Sequence, residues 1–300
     1  MLTAAIDRYL ELRRALGYKL ERDEQMLRSF ARFAAPRADS HLTSHTALEW
    51  AACAATPRQC DRRTRAVIGL ARFLHAEDPR HEIPPRVHAC AAQTRPLPHI
   101  FSSEEIGRLV QAAAQLPPHR SLRPLTFSTL FGLLAVTGLR VSEALHLRLD
   151  DLRPDAIVIR ETKFHKSRMV LLHPSTSAAL TRYVERRQRV ASNYDHLFIS
   201  LKRTPLCYET VWRTFREVCS SAGVQHSVRV RLHDLRHSMA VHALEACPHG
   251  REQVTPHMLA LSTYLGHATV RGTYWYLQSS PQLMHDVADA AETWMRRAQP

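Results

Sequence analysis

Lysine is scarce in this chain. Of its 41 basic residues only four are lysine, Lys19, Lys163, Lys166 and Lys202, and two of those stand three positions apart. Cysteine is also sparse: Cys53, Cys60, Cys90, Cys207, Cys219 and Cys247 form no C-x-x-C pair and no disulfide-framework spacing, which excludes a small stapled module. No uninterrupted apolar run approaches the roughly 18 residues that span a bilayer. The opening segment MLTAAIDRYLELRR is amphipathic and lacks the apolar core of a secretory signal. Together these absences predict a reduced, cytoplasmic protein with no membrane partner. There are no internal repeats and no low-complexity tracts. The 19 histidines are scattered with no acidic cluster beside them, which speaks against a metal centre.

What is present in excess is positive charge. The 300 residues suffice for one large domain or two moderate ones, and 45% hydrophobic with 23% charged residues is ordinary for a globular chain. A formal net charge of +13 is not ordinary, and it points to a polyanionic partner. Residues 1–100 hold 16 Lys and Arg against 11 Asp and Glu, and residues 101–300 hold 25 against 17. The excess lies in both parts of the chain, so both are able to meet one nucleic acid.

The hydrophobic periods predict a mainly α protein with one small β-hairpin, an α+β fold in two domains. Leu2, Ile6, Tyr9 and Leu10, then Met26, Phe30 and Phe33, recur at helical spacing, and further helices are expected over about Thr46–Ala54 and Arg62–His75. Residues 1–80 thus read as a helical bundle. Residues 81–100 carry four prolines without an apolar period and read as a linker. A second domain, 101–300, opens on the capping pair Ser102 and Glu105, and a helix over about Pro124–Val136 ends at Thr137–Gly138. Ala156–Arg160 and Met169–His173 flank the polar, basic stretch ETKFHKSR, the pattern of a hairpin with an exposed tip. Helices are expected over Ala178–Arg189, Tyr208–Ser221, Leu232–Ala246, Pro256–Leu265 and 281–296, the last with a single apolar stripe of Leu283, Val287, Ala290 and Trp294.

Four separated patches carry unusual polar residues: TGLRVSEAL (137–145), TKFHKSR (162–168), LHDLRH (232–237) and LGHATVRGTYWY (265–276). Singly, each has a plain reading. Arg140 and Glu143 have the spacing of a surface ion pair, Lys163 and Lys166 of a solvated tip, His233 and His237 of a zinc helix or a core pair, and Tyr274 and Tyr276 of core aromatics. Jointly they suit one task, the breaking of a phosphodiester without metal. Guanidinium groups such as Arg140 and Arg236 match phosphate oxygens and keep their charge. His233, one turn before Arg236, offers a proton acceptor. A leaving 5′-oxygen needs a proton, which a lysine at the hairpin tip can supply and an arginine cannot. A tyrosine hydroxyl can attack phosphorus and split the exchange into two steps through a covalent intermediate.

In this order the patches resemble the tyrosine recombinase (phage integrase) family over nearly the whole chain. The resemblance implies a helical core-binding domain and a catalytic domain that together form a C-shaped clamp on double-stranded DNA. It places the catalytic set on Arg140, Lys163, His233, Arg236, His267 and Tyr276, with Glu143 as a structural acidic companion. The pattern K-x-x-K-x-R assigns Lys163 rather than Lys166, and the nine-residue spacing from His267 assigns Tyr276 rather than Tyr274, which on a helix would point about 200° away. Thr162 and Phe164 stand where the family often has glycines, implying a stiffer tip. The wording of TKFHKSR and YWYL is similar to recombinases of transposons and other mobile elements. The implied reaction is a strand exchange through a 3′-phosphotyrosine, with no cofactor, metal or nucleotide energy. It is performed by a homotetramer on paired sites, nucleoid-associated, with helper recombinases or DNA-bending proteins as further partners. Helix 281–296 then serves as an arm to a neighbouring protomer or packs within its own chain. The rival readings are a type IB topoisomerase, a non-catalytic DNA-binding accessory protein and a metal-dependent nuclease.

Overall fold

The computed structural model describes residues 2–18, 20–37, 39–86, 97–160, 167–224, 230–246 and 251–266, together with Thr273 and Tyr276; of 251–254 only the backbone is described. The chain divides into two compact units, Met1–Arg95 and Pro96–Pro300. Lys163, Lys166, His267, Tyr274, residues 87–96 of the proline-rich linker and the helix expected over 281–296 lie outside the described residues.

The described residues of the first unit form a bundle of four α-helices: α1 (Leu2–Ala15), α2 (Glu21–Ala34), α3 (Ser44–Ala52) and α4 (Pro57–Glu77). The apolar positions that repeat every three to four residues, among them Ile6, Leu10, Leu27, Phe30, Trp50, Val67, Leu70 and Leu74, all turn inward to one core. Thr43 and Thr56 cap α3 and α4 through their hydroxyl oxygens, and Pro57 occupies the first turn of α4, where its missing N–H is harmless. The last helix is longer at both ends than its apolar stripe suggests, because that cap, rather than the stripe, sets its start.

The second unit contains α5 (Ser103–Ala114), α6 (Arg123–Thr137), α7 (Val141–His146), the strands β1 (Ala156–Ile159) and β2 (Arg168–Leu171), then α8 (Pro174–Gln188), α9 (Tyr208–Ser221), α10 (Leu232–Glu245) and α11 (Arg251–Leu265). The capping box of Ser102 and Glu105 forms with both of its hydrogen bonds. Strands β1 and β2 pair antiparallel from Ala156↔Leu171 to Ile159↔Arg168. The second strand is shorter than expected, because His173 leaves the sheet to cap α8. Phe101, Leu109, Phe127, Phe131, Tyr183, Phe198 and Phe215 fill the main core, with α6 at its centre. A smaller cluster of Val241, Leu244, Leu261, Leu265 and Tyr276 forms where α10 meets α11. Pro256, read from the sequence as the start of α11, sits inside it, one turn and more beyond Arg251. Among the described residues no helix is long and apolar enough to cross a membrane.

Candidate active site

The site is organised by two glycines at helix ends. Gly138 follows α6 with φ +60°, and a Cβ there would lie 3.0 Å from a Leu265 methyl and 3.1 Å from the Met239 sulfur. Glycine therefore suits both the left-handed turn and the space. Gly266 follows α11 with φ +67°, and a Cβ there would stand 2.7 Å from Nη1 of Arg168. Each turn ends a helix and exposes carbonyls that the helix leaves unpaired.

Guanidinium groups fill those vacancies. Arg236 on α10 is 2% exposed and donates from Nη1 to the Gly138 carbonyl at 2.6 Å and from Nη2 to the Leu265 carbonyl at 2.8 Å. The negative ends of two helices thus offset a charge that has lost its water. Burial lowers the Arg236 pKa from its usual value; Tyr276 opposes this, Arg140 adds to it and Glu143 opposes it. An arginine starts so high that it stays charged.

Arg140, part-exposed at the start of α7, donates from Nη1 to Glu143 Oε1 at 2.7 Å and from Nη2 to the Gly266 carbonyl at 3.2 Å. Its backbone N–H also reaches Glu143 Oε2 at 2.9 Å. Glu143 is only 10% exposed, so the spacing that suggested a surface pair marks a nearly buried one. Burial alone would raise its carboxyl pKa, but the Arg168 side chain and then Arg140 bring it down to about 2. Arg168, at the head of β2, grips the same carboxylate through Nη1 at 3.0 Å and Nη2 at 2.8 Å.

Tyr276 is 3% exposed, and its hydroxyl accepts a hydrogen bond from the Arg236 side chain. Its ring stands against His237, with centroids 5.3 Å apart, and the buried His237 stands against the exposed His233 at 4.5 Å, both pairs edge to face. One helix, α10, therefore holds the oxygen of Tyr276 through Arg236 and its ring through His237. The register of α10 is set by Asp234, wholly buried, which accepts from the backbone and side chain of Arg231 at the helix start. Ser238, one turn on, accepts from the Phe101 N–H at 2.8 Å and ties α10 to the first residues of the unit.

Residues 100–282 match the phage integrase family. The chain belongs to that family, a group of tyrosine recombinases. A curated member, the putative integrase/recombinase y4rB of Sinorhizobium fredii, is 39% identical over 297 residues, covering 94% of this chain and 94% of that one. Two solved integrases share the fold: a lambda integrase tetramer bound to a Holliday junction (TM-score 0.64, 18% identity, 92% of this chain and 76% of that one) and the Tn1549 transposon integrase in complex with transposon right end DNA (TM-score 0.65, 15% identity, 98% of both). Membership makes site-specific DNA recombination the function of the chain.

Of the residues singled out in the sequence, the fold of this integrase-family chain brings Arg140, Glu143, Arg236 and Tyr276 into one connected cluster and sets His233 at its edge. Sequence reasoning missed the contacts of Arg168 and read His237 only as half of a zinc or core pair with His233. Arg168 closes the K-x-x-K-x-R pattern, and His237 lies one turn beyond His233; both were visible as residues, but not as contacts.

Proposed function

We propose that this site-specific recombinase cuts duplex DNA with the phenol of Tyr276 and rejoins it to a partner strand. The observation that carries the reading is the hydrogen bond from Arg236 to the Tyr276 hydroxyl, in a cluster that also contains Arg140. A scissile phosphate bound by the two guanidinium groups would meet the attacking oxygen at the same place. Attack forms the Tyr276 O–P bond and breaks the P–O5′ bond, leaving a 3′-phosphotyrosine. His233 takes the phenol proton, Lys163 protonates the departing 5′-oxygen, and His267 supports the transition state. A 5′-hydroxyl of the partner strand then reverses the step. One phosphodiester-level bond replaces another throughout, so the exchange calls on neither nucleotide energy nor a metal.

Residues 1–80 act as core-binding domain, 81–100 as linker and 101–300 as catalytic domain, and the positive charge of both parts makes DNA affinity strongly salt-dependent. The working unit is a homotetramer on paired sites, a reading that the lambda integrase tetramer bound to a Holliday junction supports, and the element served is a transposon or similar mobile unit acting in the cytoplasm at the nucleoid, a reading that the likeness to the Tn1549 transposon integrase supports.

A nicked suicide duplex tests the chemistry. Tyr276→Phe is expected to bind DNA and form no covalent adduct, while Tyr274→Phe still forms it; an adduct with Tyr276→Phe removes the assignment. Lys163→Ala is expected to recover on a 5′-thiolate leaving group, which needs no proton. Recovery of Lys166→Ala alone would transfer that role. Activity abolished by a chelator would favour a metal-dependent nuclease instead.

A further inference from the structure

Arg168 makes and breaks no bond in this scheme, yet its guanidinium is engaged at every nitrogen. Nε donates to the Tyr264 carbonyl at 3.0 Å, while Nη1 and Nη2 form a two-point fork with the Glu143 carboxylate at 3.0 and 2.8 Å. Its side chain is 12% exposed. The carboxylate is shared oxygen by oxygen. Oε1 accepts from Arg168 and from the Arg140 side chain, and Oε2 accepts from Arg168 and from the Arg140 backbone. Gly266 admits this arrangement, since any side chain there would collide with the Arg168 guanidinium, and its carbonyl takes the second donor of Arg140.

The charge balance gives this sharing a consequence. Glu143 orients Arg140, but an ionised carboxylate at 2.7 Å also cancels much of the charge that a phosphate requires. Left alone with Arg140, it would draw that guanidinium into a two-point fork of its own, the preferred geometry of such pairs. With Arg168 in the fork, the three groups together keep one net positive charge, and only Nη1 of Arg140 turns to Glu143.

We propose that Arg168 is a positioning residue of the cleavage site, which neutralises Glu143 so that Glu143 orients Arg140 without consuming the charge Arg140 brings to an anionic phosphoryl group. The inference rests on the cleavage reading above, with Arg140 at the scissile phosphate. The plainer role for Arg168 is a latch between β2 and α11, which the hydrogen bond from the Tyr264 hydroxyl to the Leu171 carbonyl also serves. A latch is indifferent to charge on the phosphate; a neutralising group is not.

The test measures single-turnover cleavage at saturating DNA on two nicked duplexes, one with an ordinary scissile phosphate and one with a methylphosphonate there. The methyl group replaces a non-bridging oxygen, so the five-coordinate state carries one negative charge fewer. Arg168→Ala is expected to slow cleavage of the ordinary phosphate about tenfold or more, less than the roughly 10²–10³ for loss of a direct donor. On the methylphosphonate that deficit, like the deficit of Arg140→Ala, should shrink towards unity. Adding Glu143→Gln to Arg168→Ala should restore part of the rate, because no carboxylate is then left to capture Arg140. Arg168→Lys and Arg168→Gln repeat the comparison in case the alanine variant does not fold: lysine should outperform glutamine on the ordinary phosphate only.

The proposal is overturned if the Arg168→Ala deficit is the same on both substrates while that of Arg140→Ala disappears, if Glu143→Gln deepens the deficit, or if lysine and glutamine are equivalent. An Arg140→Ala deficit that does not respond to the methylphosphonate would instead remove Arg140 from the phosphate, and the underlying reading with it.

Discussion

Replacing Glu143 by glutamine preserves the size of the side chain and removes the charge shared by Arg140 and Arg168. The size of the effect follows from the carboxyl pKa, which the two arginines bring from the ordinary 4.5 to about 2 against the opposing pull of burial. A fall of that extent corresponds to roughly 3 kcal/mol in favour of the ionised, folded form. The side chain is 10% exposed, so solvent screening takes little from this figure. Because the folded-state pKa is the lower one, the contribution is complete above about pH 4.5 and is lost as the pH falls through about 2. Urea unfolding of the full chain, wild type against Glu143→Gln, should therefore show a gap of roughly 3 kcal/mol at pH 7 that narrows steadily below pH 4.5. Other acidic groups titrate in both proteins and cancel in the difference. A gap that is independent of pH, or no gap at pH 7, refutes the shared-carboxylate account.

Arg236→Lys keeps a positive charge but cannot reach the Gly138 and Leu265 carbonyls and Tyr276 together, so cleavage should drop by about 10² or more in single-turnover assays while DNA binding persists. Gly266→Ala places a Cβ against Arg168 in a left-handed turn and should cost about 1–2 kcal/mol in unfolding experiments, with a parallel loss of cleavage. Asp234→Ala removes the buried cap of α10, which should destabilise the catalytic unit by about 1–3 kcal/mol and lower its thermal midpoint.

The local features of the fold were legible because they are written in neighbouring residues. Ser102 and Glu105 mark a capping box, Gly138 marks the end of α6, and the span Tyr208–Ser221 expected for α9 matches the helix at both ends. The sequence places the start of the helix at Pro256, yet α11 begins five residues earlier, at Arg251, with the proline inside it. The six-residue α7 is too short to show a period at all. At the candidate site, Arg140, Glu143, Arg236 and Tyr276 could be named from the sequence as a group, but their contacts could not. Arg236 meets carbonyls 98 and 29 residues away, and Arg168 meets Glu143 across 25 and Tyr264 across 96. Spacing along the chain carries no sign of such contacts, which is why Arg168 passed as one more basic residue of a hairpin and His237 as half of a histidine pair.

The most direct measurement is to trap the covalent complex on a nicked suicide duplex, digest protein and DNA, and sequence the modified peptide by mass spectrometry. The account predicts a single nucleotide-bearing peptide whose added mass sits on the phenolic oxygen of Tyr276, joined to a 3′-phosphate. A modification on Tyr274 or on any serine, or cleavage that leaves no protein–DNA bond, would contradict it.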